Sequence, residues 1–239
     1  MIEILKRPRL KRQIRKGVHS AIPCGAGAFW RFNKPLHDIG HFDKLNPSDS
    51  QGHLPSCAGH ALANYLEWVL REHGAAPDRP FQLNGKRIWQ AALDKTGRKN
   101  TGLTRYEVLR GVEGDLLPHN TACRYVSPDN LFDKLQKTPV MLAVNITDQW
   151  IFADSKNGFI PLGGVKGEAH AVVLAGVSAV THSDGPFIHI LNSWGARNGV
   201  DGIITLDWAE FRRAHIEAWL PEFDHARWCV DGRWREWLV

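Results

Sequence analysis

The chain has 239 residues, of which 43% are hydrophobic, 22 are Gly and 13 are Pro. That length suits one large domain or two small lobes sharing a cleft, with core enough to stand without disulfides. The composition excludes collagen-like, coiled-coil and wholly disordered chains. The net charge of +5 is concentrated: residues 1–16 carry seven Lys/Arg and one Glu, a net +6, so the other 223 residues sum to −1. A uniformly basic nucleic-acid-binding surface is therefore not expected for the body.

Residues 1–37 read as a basic arm followed by a strap that lies on the body. Charges interrupt every apolar stretch up to Lys16, so no Sec signal peptide is seen, and the expected location is cytoplasmic or reached by signal-independent export. The arm reads as a solvated tail or as a contact for an acidic partner, a membrane surface or nucleic acid.

Helical spacing of apolar residues from Cys57 to Leu70 predicts a central helix of about 16 residues, with Ser56 as its N-cap and Gly74 as its stop. Shorter helices are predicted near 86–94, at 104–112 behind Thr104, and at 128–136 behind Ser127. Strands are predicted at Val140–Ile146, Ala171–Val180, Phe187–Leu191 and Gly202–Leu206. A last short helix opens at Asp207 and runs to about His215. The strand Ala171–Val180 is about half the length of a membrane-spanning helix and is broken by Gly176 and Ser178, so no transmembrane segment is expected. Helices followed by strands predict an α+β fold of two lobes meeting along a seam. Residues 216–239, with Trp219, Trp228, Trp234 and Trp237, read as a tail fastened to the body by aromatic packing.

Cys24, Cys57, Cys123 and Cys229 form no CxxC pair and no zinc-knuckle spacing. His37 with His41, and Cys57 with His60, each supply half a metal site at most. Gly40 breaks any helix under the first pair, and HExxH is absent, so neither metal nor cofactor is expected.

Cys57 stands at the predicted start of the strongest helix, where unpaired N–H groups favour a thiolate; the alternative is a buried inert cysteine. Gln51 lies six residues upstream in the loop Asp49-Ser50-Gln51-Gly52. There its side-chain NH₂, with the Cys57 N–H, could hold an oxyanion. His170 enters a long apolar strand, either as a packed histidine or as a general base. Asn192 ends a strand in Asn192-Ser193-Trp194-Gly195. Its carbonyl can orient an imidazole, and Trp194 can shield that bond from water.

The order Gln51, Cys57, His170, Asn192, the last inside Asn-Ser-Trp-Gly, resembles the papain-like cysteine peptidases. The stretch from Gln51 to Cys57 is similar to the family's Gln-Gly-x-x-Gly-Ser-Cys approach to its central helix. Asn198–Ile203 looks like the turn that follows its Asn-Ser-Trp-Gly. The resemblance covers about residues 38–215 and implies a catalytic domain there, with a helical lobe at about 38–125 and a β lobe at about 126–215. It implies catalytic roles for Cys57, His170, Asn192 and Gln51, a shield in Trp194, and a protein or peptide substrate paired with the backbone at Gly102. Ala171 is implied to floor an apolar subsite. The chain departs from the pattern at Leu54, where relatives have a disulfide-forming Cys, and at Ala58, where they have Trp. His170 and Asn192 follow Cys57 by 113 and 135 residues, against roughly 130–150 in the family. This fits a compact, disulfide-poor, bacterial-type member, expected to be a monomer and to lack a long pro-segment. The same thioester chemistry also serves transglutaminases, ligases and deamidases, and a third alternative is a binding protein on a peptidase fold.

Overall fold

The computed structural model describes residues 39–46, 49–77, 81–153, 158–160, 163–182 and 185–239. The expected arm and strap at 1–37, with Cys24 and His37, lie outside the described residues. The elements run β1 (Ile39–Gly40), α1 (Cys57–Glu72), α2 (Gly85–Thr96), α3 (Arg105–Val112), β2 (Ala122–Val126), α4 (Leu131–Leu135) and β3 (Val140–Thr147). They continue as β4 (Phe159–Ile160), β5 (Lys166–His182), β6 (Gly185–Leu191), β7 (Ile203–Leu206), α5 (Trp208–Ala214), β8 (His215–Glu222) and α6 (His225–Asp231).

The fold is α+β. Among the described residues one eight-stranded sheet runs β2-β8-β3-β5-β6-β7-β4, with β1 paired to β5. All pairings are antiparallel except β4 with β7. The helix α1 packs against β5 and against α2. Every residue of α1 from Cys57 to Leu70 is buried, so the helix lies inside the molecule rather than on it. Its buried polar side chains therefore need internal partners. Glu67 accepts the Leu83 N–H at 2.7 Å and the Asn46 amide at 2.6 Å. Burial nevertheless pushes its pKa up to about 7.

The helix caps differ from one another. Thr104 forms a reciprocal capping box with Glu107 at the start of α3. Ser56 occupies the N-cap of α1 but makes no side-chain cap bond, and its Oγ is buried without a partner among the described residues.

One expectation needs correction. The stretch from 216, read as the start of a tail, belongs to β8, which lies between β2 and β3. The expected boundaries at 125/126 and 215/216 both fall within paired strands or at their ends. Both faces of β8 are largely covered, so it lacks the alternation that marks a half-exposed strand. The residues beyond it pack as the tryptophans suggest. Trp228 Nε1 donates to the Leu116 carbonyl at 2.6 Å, and the Arg87 guanidinium lies over Trp237 at 4.6 Å.

Among the described residues no helix is long and apolar enough to cross a membrane. No group of three or more His, Cys, Asp and Glu is gathered there in a way that could hold a metal ion. Cys57, Cys123 and Cys229 are all free thiols.

Candidate active site

Cys57 is the first residue of α1 and is buried. Across from it, β5 carries His170 and Ala171 and packs against α1, and the Ala171 amide is among the groups that pull the Cys57 thiol pKa down. The seam between α1 and β5 thus brings the cysteine beside the histidine's strand position. A neighbouring strand adds the third residue: β6 ends at Leu191, and Asn192 follows at once.

His170 Nε2 lies 2.7 Å from Asn192 Oδ1. The orientation of the Asn192 amide is fixed by its other bonds. Oδ1 accepts the Ser193 N–H at 2.8 Å, and Nδ2 donates to Asn198 Oδ1 at 2.8 Å. Asn198 in turn donates to the Trp150 carbonyl at 3.0 Å. Because Oδ1 only accepts, His170 must carry its proton on Nε2 in this bond. Trp194 lies over the pair, its ring centroid 5.1 Å from that of His170.

Gln51 is held from the same segment. Its N–H donates to the Ser193 carbonyl at 2.9 Å, and its Oε1 accepts from Ser193 Oγ at 2.5 Å. Its Nε2 donates to the Leu54 carbonyl at 2.9 Å, on the way to Cys57. Ser50 forms a backbone bridge with Trp194. Ser193 is therefore the link between Gln51 and Asn192. The sequence offered a signal for it only as a member of the Asn-Ser-Trp-Gly run.

The electrostatics correct the expectation of a thiolate favoured by the helix start. Amides of Ala171, Ala58 and Cys57 itself do pull the thiol pKa down, but burial is the larger effect and pushes it up. Burial likewise brings His170 down to about 4, with the Asn192 bond opposing and His60 adding to the shift. Each group alone is held toward its neutral form.

Of the sequence-predicted residues, His170, Asn192, Gln51 and Trp194 are joined by these contacts, and Cys57 and Ala171 lie on the helix and strand that pack beside them. Gly102 lies buried on the loop between α2 and α3 and takes no part in them. A pair that the sequence did not single out lies close by. His60, one turn along α1, has Nδ1 3.7 Å from Asp49 Oδ2.

No protein-family model matches the sequence, and no curated protein matches it. Solved structures do match. Xylellain, a cysteine protease from Xylella fastidiosa, superposes with a TM-score of 0.65 at 16% identity, over 80% of this chain and 87% of the other. Digestive procathepsin L 3 of Tenebrio molitor larval midgut gives 0.61 at 12% identity, over 90% and 79%. The bromelain protease of Ananas comosus, in complex with the E64 inhibitor, gives 0.57 at 19% identity, over 79% and 100%. The chain has the fold of the papain-like cysteine proteases.

Proposed function

We propose that this chain is a cysteine peptidase that hydrolyses peptide bonds through a thioester, with Cys57 as nucleophile. One observation carries the reading. His170 is bonded to Asn192 at 2.7 Å on the strand that packs against the helix opened by Cys57. A buried thiol and a buried imidazole both disfavour lone charges, but a proton passed between them leaves a neutral pair whose two charges stabilise each other.

In the first half-reaction the Cys57 proton moves to His170, and the sulfur attacks the carbonyl carbon of a bound peptide. The oxyanion so formed takes hydrogen bonds from the Gln51 amide and the Cys57 N–H. His170 returns the proton to the departing amine as the C–N bond breaks, leaving a thioester. In the second half, His170 takes a proton from water, hydroxide attacks the thioester, and the proton returns to sulfur as the acid departs. Asn192 holds the imidazole in the required tautomer throughout, and Trp194 shelters their bond. Substrate lies extended, pairing with backbone near Gly102, with Ala171 flooring an apolar subsite.

A peptidyl epoxide that alkylates papain-type thiolates tests the reading, applied with reductant near neutral pH and read by intact mass. One adduct is expected on the native chain and none on Cys57→Ala or His170→Ala. Product masses then separate scission from transfer or deamidation. Full hydrolytic activity in Cys57→Ala would sink the proposal.

A further inference from the structure

The loop that carries Gln51 is tied down at both ends, and only one tie belongs to the Asn-Ser-Trp-Gly segment. At the far side, Gln51 bonds to Ser193 through main chain and side chain. At the near side stands Asp49. Its Oδ1 accepts the Ser50 N–H at 2.6 Å, bracing the start of the loop, and its Oδ2 faces His60 Nδ1 at 3.7 Å.

His60 is an unusual residue to find there. It sits in the first turn of α1, three residues after Cys57, and its N–H bonds back to the Ser56 carbonyl. Its side chain is only 4% exposed, and Nε2 has no hydrogen-bond partner among the described residues. Gly85 at the start of α2 presses on the ring. A Cβ there would lie 2.7 Å from His60 Cα, Cγ and Nδ1, so the imidazole is boxed in and faces Asp49. A buried polar ring costs stability unless its polarity is used, and a hydrophobic side chain would fill this space without that cost.

Resting on the peptidase reading above, we propose that His60 and Asp49 are positioning residues for the oxyanion hole. Their contact clamps the Asp49–Gly52 loop to the first turn of α1 and so fixes the distance between the Gln51 amide and the Cys57 N–H. Neither touches substrate. Oxyanion stabilisation depends on donors pre-set where charge develops, and displacement of a donor by about 1 Å is enough to lose much of it.

The test compares the full chain with Asp49→Asn, His60→Leu, Gln51→Ala and the Gln51→Ala/Asp49→Asn pair. Asp49→Asn keeps an acceptor for the Ser50 N–H and removes the charge that faces His60 and also acts on Glu67. It lies on a half-exposed loop, so it remains informative if the buried His60→Leu fails to fold. Two rates are measured: kcat and KM for a fluorogenic peptide, and the rate of Cys57 alkylation by chloroacetamide. The alkylation is a displacement at saturated carbon that forms no oxyanion. Asp49→Asn is expected to lower kcat at least about tenfold with KM and alkylation changed less than about twofold. In the Gln51→Ala background it is expected to cost almost nothing further, because the donor it positions is gone. An active native chain with unchanged kcat in Asp49→Asn overturns the inference alone. So does an equal loss of alkylation, or full additivity with Gln51→Ala. A native chain with neither turnover nor selective alkylation of Cys57 removes the peptidase reading, and the inference with it.

Discussion

An imidazole exchanges a proton with a neighbouring thiol efficiently only when its other nitrogen is held in one tautomer. In the proposed mechanism that task falls to Asn192, whose amide is itself fixed by Ser193 and Asn198. Asn192→Ala leaves a buried His170 N–H without its acceptor, which costs about 1–3 kcal/mol of stability. If the imidazolium forms during catalysis, its loss of partner is felt there too, and kcat is expected to fall roughly tenfold to hundredfold with KM little changed. Urea denaturation checks the first number and stopped assays on a peptide substrate the second. At this scale the sequence was informative because chemistry-bearing residues were few and ordered: Gln51, Cys57, His170 and Asn192 could be named before any fold was known. His60 could be named only for its spacing from Cys57, and its facing of Asp49 could not be read at all. A loop Asp and a helix His eleven residues apart carry no pattern, and only the packing of Gly85 against the ring and the turn of the loop make them face each other.

Two helices of the first half show how far local rules reach. Thr104 was readable as a cap for α3, and the reciprocal bonds with Glu107 bear that out. Ser56 was readable by the same rule as a cap for α1, yet its hydroxyl makes no such bond and is buried unpaired among the described residues. The Ser56 backbone does not adopt the extended cap conformation that Thr104 has, so its hydroxyl is not aimed at the first-turn amides. Thr104→Ala is therefore expected to cost about 1 kcal/mol and Ser56→Ala less than about 0.5 kcal/mol, both by urea denaturation. A cost near 1 kcal/mol for Ser56→Ala would mean that its hydroxyl caps α1 in solution. Among the strands, β3, β5, β6 and β7 were legible from β-branched runs, while β8 was not. Its sequence HIEAWLPE has no period of two and contains Pro221. The proline is tolerated because the pairing of β3 with β8 extends only to Trp219, so Pro221 pairs with Cys123 of β2 alone.

At the scale of the whole molecule, the buried titratable groups set how the fold responds to acid. His170 and His215 are register partners of Val144 from opposite sides, so both lie in the middle of the sheet, and burial brings each down to about 4. Burial also lowers His60 and His225. A group whose folded pKa is depressed binds its proton first in the unfolded chain. These histidines therefore contribute stability that is present above about pH 6.5 and is lost on acidification, for His170 and His215 as pH falls toward 4. Glu67 acts in the opposite sense. With its folded pKa raised to about 7, it favours the native state below the ordinary carboxylate range, and that contribution is lost as pH rises to 7. Several histidines oppose one carboxylate, so the midpoint of thermal unfolding is expected to fall between pH 6.5 and 4.5. Replacing Glu67 by Gln removes the opposing contribution and should steepen that fall, and His215→Gln should flatten it. Thermal unfolding followed by circular dichroism across this range checks all three. A midpoint that rises on acidification would show that the histidines are solvated and protonated in the native protein. The neutral Cys57–His170 pair from which the proposed proton transfer starts would then have to be abandoned.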